Sequence, residues 1–243
     1  MPSSITPAEP SRTSDQIDLW TVDLDQWAGV HGDRLDAVTL TDVDRAHASR
    51  LGQGLTARRL LARRSAARSI LASALGTSPG SLTIERHCPR CGSTAHGRPR
   101  IAGDPLEFSV SSAQGVAVIA VAHTPVGIDV EVVGEATVVL ERALTSDELR
   151  RLMALPAGGR AVGFLRLWTG KEAVLKAAGR DLGDDPASID VAGLLVGDTV
   201  RFVDAGRTWF VRQLPCESFK GLAVLLGMAD ELGGPVVRHV LER

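Results

Sequence analysis

The stretch "VAVIAVAHTPVGIDVEVV", Val116 to Val133, is rich in valine and isoleucine and broken at Pro125. β-Branched residues favour strands, and proline cannot donate to a strand ladder. The stretch therefore predicts two strands with an interruption near Pro125. Upstream, "SLTIERH" and "LEFSVSS" read as further short strands. "LTARRLLARRSAARSILASALG", Leu55 to Gly76, alternates apolar and basic residues at helical spacing and ends on a glycine suited to a C-cap. "CPRCGSTAHGRPR" reads as a turn-rich loop. Downstream, "TSDELRRLMAL" opens with a Thr or Ser cap and predicts a helix. "AVGFLRLWTGKEAVLKAAG" predicts a longer helix ending at Gly179. "SIDVAGLL", "DTVRFVDAG", "RTWFVRQLP" and "FKGLAVLLGM" read as strands of a meander. Helices and strands mix in both halves, and strands cluster. That is the pattern of an α/β protein of the α+β type with largely antiparallel sheets, rather than a doubly wound parallel fold. A boundary near "HTPVGID" divides the chain into a flexible tail (1–16), an N-terminal lobe (17–125) and a C-terminal lobe (126–243).

A chain of 243 residues with 44% hydrophobic and 23% charged residues can build a substantial core. The apolar runs are too short for a membrane span, and the Pro/Ser-rich start has no apolar core of a signal peptide. The expectation is a cytoplasmic protein with no membrane partner. A net charge of −2 gives no global field for nucleic acid. The charge is nevertheless uneven: Arg45 to Arg68 carries seven arginines, and no acid falls between Asp44 and Glu85. A local cationic surface of this kind suits a phosphorylated ligand. A solvated helix face explains it equally well.

"GIDVE" places Asp129 and Glu131 two apart in a strand, so both carboxylates share a face. Like charges side by side call for a cation between them, and a hard divalent ion bound through oxygen supplies one. In the long helix, Trp168, Glu172 and Lys176 form one row at four-residue spacing; Lys171 lies on the adjacent row. The plain alternative is an ordinary exposed Glu–Lys pair. Against it, Trp168 argues that this face is not wholly solvated, and only three of the 27 lysines and arginines in the chain are lysine. Lysine offers a compact ammonium that can change protonation state, which arginine effectively cannot.

"GIDVE" followed by "WTGKEAVLKAAG" resembles the Sfp-type 4'-phosphopantetheinyl transferases, whose pattern is G-(I/V)-D-x-E and then W-x-x-K-E-(A/S)-x-x-K. "HGRPRI" is similar to the family's G-K-P segment, "FSVSSAQGVAVIAVA" to its F-N-x-S-H-S strand, and "LTSDELRRL" to its small helix with a glutamate, here Glu148. The resemblance covers about Arg45 to Gly183. It implies two pseudo-symmetric lobes, each a small mostly antiparallel sheet packed with helices. It also implies a monomer that moves 4'-phosphopantetheine from coenzyme A (CoA) to a serine of an acyl or peptidyl carrier protein. Such carriers serve fatty acid, polyketide or nonribosomal peptide synthesis, and the by-product is adenosine 3',5'-bisphosphate.

By the same resemblance Asp129, Glu131 and Glu172 hold Mg²⁺. Glu172 takes the serine proton, directly or through a metal-bound water. Lys176 contacts the phosphates, as acid to the departing group. Lys171 binds phosphate from the side or pairs with an acid. Arg50, Arg58 or Arg59, and Arg98 are candidates for the 3'-phosphate and adenine end, with Ser111 and Ser112 also on the coenzyme. The family's histidine is Ser112 here, and its asparagine is Ser109. A serine hydroxyl still donates a hydrogen bond but supplies no cation, so either a nearby arginine compensates or the chain is a catalytically impaired CoA-binding homologue. Cys88, Cys91 and His96 give a partial structural zinc site; with the arginine-rich helix it would make a zinc-knuckle nucleic-acid-binding protein, a reading that leaves both motifs unexplained.

Overall fold

The computed structural model describes residues 14–31, 39–88, 91–94, 97–103, 106–134, 141–180, 185–204, 206–215 and 224–241. The chain enters through strand β1 (Ile17–Asp23) and helix α1 (Leu24–His31), then α2 (Asp42–Arg50) and α3 (Leu55–Leu75). A hairpin of β2 (Ile84–His87) and β3 (Arg98–Ile101) precedes β4 (Glu107–Ala113), β5 (Val116–Ala122) and β6 (Val126–Val132). Helices α4 (Ser146–Ala154) and α5 (Ala157–Ala178) follow, and then β7 (Thr199–Asp204), β8 (Arg207–Leu214), β9 (Val224–Asp230) and β10 (Val236–Leu241). The expected mixed architecture with small, mostly antiparallel sheets is present. β10–β1–β5–β4 form one sheet and β6–β9–β8–β7 the other. The one parallel pairing among the described strands is β1 with β10, which carries the end of the chain back into the first sheet.

The strand alternation sorts side chains between layers. Ala117, Ile119 and Val121 of β5 pack with Ile70 and Leu71 of α3. Val116, Val118 and Ala120 point the other way and meet Ile128 and Val130 of β6 and Met228 of β9. The far face of the second sheet packs on α5 through Val174, Trp209 and Val211. The order is therefore helix, sheet, sheet, helix.

Helix α5 lies unusually close to its sheet because two glycines let it. A Cβ at Gly127 would stand 1.9 Å from the Ala173 carbonyl oxygen, and one at Gly227 would stand 2.4 Å from that of Thr169. Since Gly127 faces α5, so do Asp129 and Glu131, at the same period of two.

One expected strand is absent. "SIDVAGLL" forms two short 3₁₀ turns, Pro186–Ser188 and Ala192–Leu195. Its backbone groups are committed elsewhere: the Ile189 carbonyl accepts from Lys171, and the Val191 amide donates to Glu148 Oε1 at 2.9 Å. The expected loop before β4 contains β3, whose Pro99 is tolerated in a two-stranded hairpin. Residues 1–13 of the expected tail lie outside the described residues. No helix is long and apolar enough to cross a membrane among the described residues.

Candidate active site

The two sheets meet edge to edge at β4 and β6, which serine hydroxyls join. Ser109 Oγ accepts from the Ile128 amide at 3.1 Å, and Ser111 Oγ donates to Asp129 Oδ1 at 2.7 Å. Lys176 reaches into this seam from the last turn of α5. Its Nζ donates to Asp129 Oδ1 at 2.5 Å and to the Ile128 carbonyl and Ser111 Oγ at 3.2 Å each. Glu172 Oε2 stands 3.9 Å away. Glu131 completes the acidic set and accepts a hydrogen bond from Trp168.

These acids share one field. Burial raises the Glu172 pKa to about 7, the charges of Asp129 and Glu131 add to the rise, and Lys176 offsets part of it. The Glu131 pKa is raised for the same first reason, with Asp129 next. Asp129 Oδ2 is buried and lacks a hydrogen-bond partner among the described residues. A carboxylate oxygen can accept a hydrogen bond or ligate a hard cation. No three His, Cys, Asp or Glu side chains form a ready-made metal-holding group among the described residues. Asp129, Glu131 and Glu172 therefore stand around Lys176 without closing into a cage.

Lys171 lies elsewhere. Its side chain is fully buried, 2.6 Å from Glu148 Oε2, and it donates to the carbonyls of Pro186 and Ile189. Of the two expected roles, pairing with an acid is the one the geometry shows; three acceptors take the ammonium, and none is left for a phosphate. Glu148 also closes the capping box of α4 with Thr145. Arg98 is similarly committed, to Glu107 at 2.8 Å and to the Ala177 and Val126 carbonyls. These contacts fasten β3 to β4, β6 and α5.

The arginines of α3 sort by partner. Arg59 makes a two-pronged pair with Asp25, at 2.8 and 2.7 Å. Arg64 pairs with buried Asp44, as does Arg68 at 3.4 Å. Arg58 and Arg50 are exposed, Arg50 at the end of α2. Arg63 donates to Ser112 Oγ at 3.0 Å. Arg59, Arg63 and Ser112 line a cavity of about 400 Å³ with His47 and Thr56. Sequence reading had Arg63 among seven arginines with nothing to single it out. Only the packing of α3 against β4 does.

Cys88 is buried and Cys91 exposed, and His96 lies outside the described residues. With no metal-holding group of three among the described residues, the zinc expectation is not supported.

The seam thus gathers Asp129, Glu131 and Glu172 near Lys176, and an arginine-lined cavity lies against the same strand β4. Residues 125–212 match the model of the 4'-phosphopantetheinyl transferase superfamily. Over 183 residues the chain is 33% identical to the 4'-phosphopantetheinyl transferase HetI of Nostoc sp., covering 71% of this chain and 73% of that one. Over 89 residues it is 33% identical to the 4'-phosphopantetheinyl transferase psf-1 of Bacillus pumilus, 36% of this chain and 38% of that one. The chain belongs to the 4'-phosphopantetheinyl transferase superfamily and is a transferase.

Proposed function

We propose that the protein transfers 4'-phosphopantetheine from coenzyme A to a serine hydroxyl of an acyl or peptidyl carrier protein, releasing adenosine 3',5'-bisphosphate. The observation that carries this reading is Lys176 Nζ held between Asp129 and Glu172 at the β4–β6 seam.

The serine oxygen forms a bond to the phosphorus bearing the pantetheine, and the bond from that phosphorus to the bridging oxygen breaks. Glu172, with a pKa near 7, suits acceptance of the serine proton. Lys176 neutralises the charge gathering on the departing phosphate and can donate a proton to it. Glu131, held by Trp168, and Asp129, held by Ser111, keep the acidic face in register. The donor set is all hard oxygen, and the unpartnered Asp129 Oδ2 fits a divalent cation. Mg²⁺ takes one or two carboxylates and completes its shell from water and phosphates, so an incomplete protein cage is compatible with it. When bound, it would add positive charge beside the diphosphate.

The test is to incubate the protein with CoA, Mg²⁺ and several apo carrier proteins and weigh the carriers. Gain of one phosphopantetheinyl mass, dependent on CoA and abolished by EDTA, is expected. No gain with any carrier, while CoA still binds, would make the chain a non-transferring homologue.

A further inference from the structure

We infer that Ser111 is a positioning residue for Asp129 rather than a contact of the coenzyme: its hydroxyl holds Oδ1 and so reserves Oδ2 for a divalent cation. This role deepens the proposed function and rests on its oxygen-bound cation.

The resemblance places Ser111 and Ser112 together on the coenzyme, and the strand separates them. Successive side chains of β4 point to opposite sides. Ser112 turns toward α3, accepts from Arg63 at 3.0 Å and lines the arginine-rich cavity. Ser111 turns toward β6 and donates to Asp129 Oδ1 at 2.7 Å, away from that cavity's wall. A serine hydroxyl has one proton to donate. That proton is committed to Asp129, so none remains for a phosphate.

Asp129 is 4% exposed, so water does not satisfy its oxygens freely. Oδ1 accepts from both Ser111 and Lys176. Oδ2 is buried and accepts from no described residue. A buried carboxylate oxygen without a partner is costly, and a hard cation on Oδ2 offsets that cost. The division between the two oxygens needs a holder that stays in place. The Lys176 side chain is 30% exposed and long, and it can turn to another acceptor such as a phosphate. Ser111 has a short side chain on a buried strand segment and cannot follow. The terminal torsion of aspartate is soft, so without the hydroxyl the carboxylate spreads over a range of angles once Lys176 leaves it. Ser109, on the same side of β4, holds the backbone next to Asp129 by accepting from the Ile128 amide. The two hydroxyls thus fix the strand and the side chain separately.

Titration of the full chain with Mg²⁺ in the absence of coenzyme, read as the rise in unfolding midpoint, tests this. The wild type is expected to show a saturable rise. Ser111→Ala is expected to need about 10-fold more Mg²⁺ for the same rise, the lower end of what residues that orient metal ligands contribute. Ser111→Thr should keep the wild-type response and Ser111→Val should match Ser111→Ala, which separates the hydroxyl from the shape of the side chain. Calorimetric titration with CoA in EDTA should place Ser111→Ala within about 2-fold of the wild type, as for sites that share no partner. Equal Mg²⁺ dependence in the wild type and Ser111→Ala would overturn the assignment, and so would a loss of CoA affinity in EDTA as large as the loss in Mg²⁺ response. A serine that only supports the fold would lower the midpoint in EDTA and leave the Mg²⁺ dependence unchanged, which is the first of those results. If the assignment fails while the wild type still responds to Mg²⁺, the proposed function stands; a wild type with no Mg²⁺ response removes the cation and the assignment together.

Discussion

Lys171 Nζ lies 2.6 Å from Glu148 Oε2, and neither side chain reaches solvent. This pair joins α4 to α5 and holds the 186–191 turns through the Pro186 and Ile189 carbonyls and the Val191 amide. Burial lowers the Lys171 pKa and the Glu148 carboxylate opposes that. Glu148→Ala leaves a buried ammonium without its anion. It should destabilise the fold by about 3–5 kcal/mol. Glu148→Leu combined with Lys171→Met should recover much of the loss, because neither charge then needs compensation. Urea unfolding measures both.

Lys176 should behave in the opposite way. It is partly exposed, and its contacts serve the acidic seam. Lys176→Ala is expected to reduce the transfer rate by about 100-fold or more, with a smaller loss of unfolding free energy than Glu148→Ala because the Lys176 side chain is 30% exposed. Lys176→Arg keeps the charge but brings a planar fork into a niche bounded by the Ile128 carbonyl and Ser111. It should also be impaired. Steady-state rates with a carrier protein, read beside unfolding curves, decide the matter.

Glu172 predicts a pH dependence. Its folded pKa is raised from 4.5 to about 7. Between those values the folded chain holds a proton that the unfolded chain has released, so stability falls as pH rises through the window. The full effect is on the order of 3 kcal/mol. In EDTA, the wild type minus Glu172→Gln difference should show this decline, and added Mg²⁺ should reduce it by favouring the ionised carboxylate. A flat difference from pH 4.5 to 7 would contradict the burial argument.

Gly127→Ala should damage both fold and activity. The new methyl would strike the Ala173 carbonyl at 1.9 Å and the Ala177 amide at 2.6 Å, and both are backbone atoms that cannot swing aside. A cost of about 3 kcal/mol is expected, at the upper end for overpacking. Since α5 carries Glu172 and Lys176, transfer should fall even in the molecules that remain folded. Unfolding free energy and the rate per folded molecule report the two effects.

Local chemistry alone determined much of this protein. β-Branched runs broken at Pro125 placed β5 and β6, the period of two put Asp129 and Glu131 on one face, and the period of four aligned Trp168, Glu172 and Lys176. These are short-range consequences of backbone geometry. Tertiary structure decided what depends on partners distant in the chain. Lys171 and Lys176 stand five residues apart in one helix, yet one meets Glu148 in the core and the other Asp129 at the seam. The period of four sets them on different rows, but a helix fixes direction and not what lies opposite. The same holds on α3, where Arg59, Arg64 and Arg68 find acids and Arg63 finds a serine 49 residues away. It holds too for "SIDVAGLL", whose strand-like composition yields to a buried ion pair that claims its backbone. Spacing set the candidates, and long-range packing sorted the charges that hold the fold from those left for a ligand.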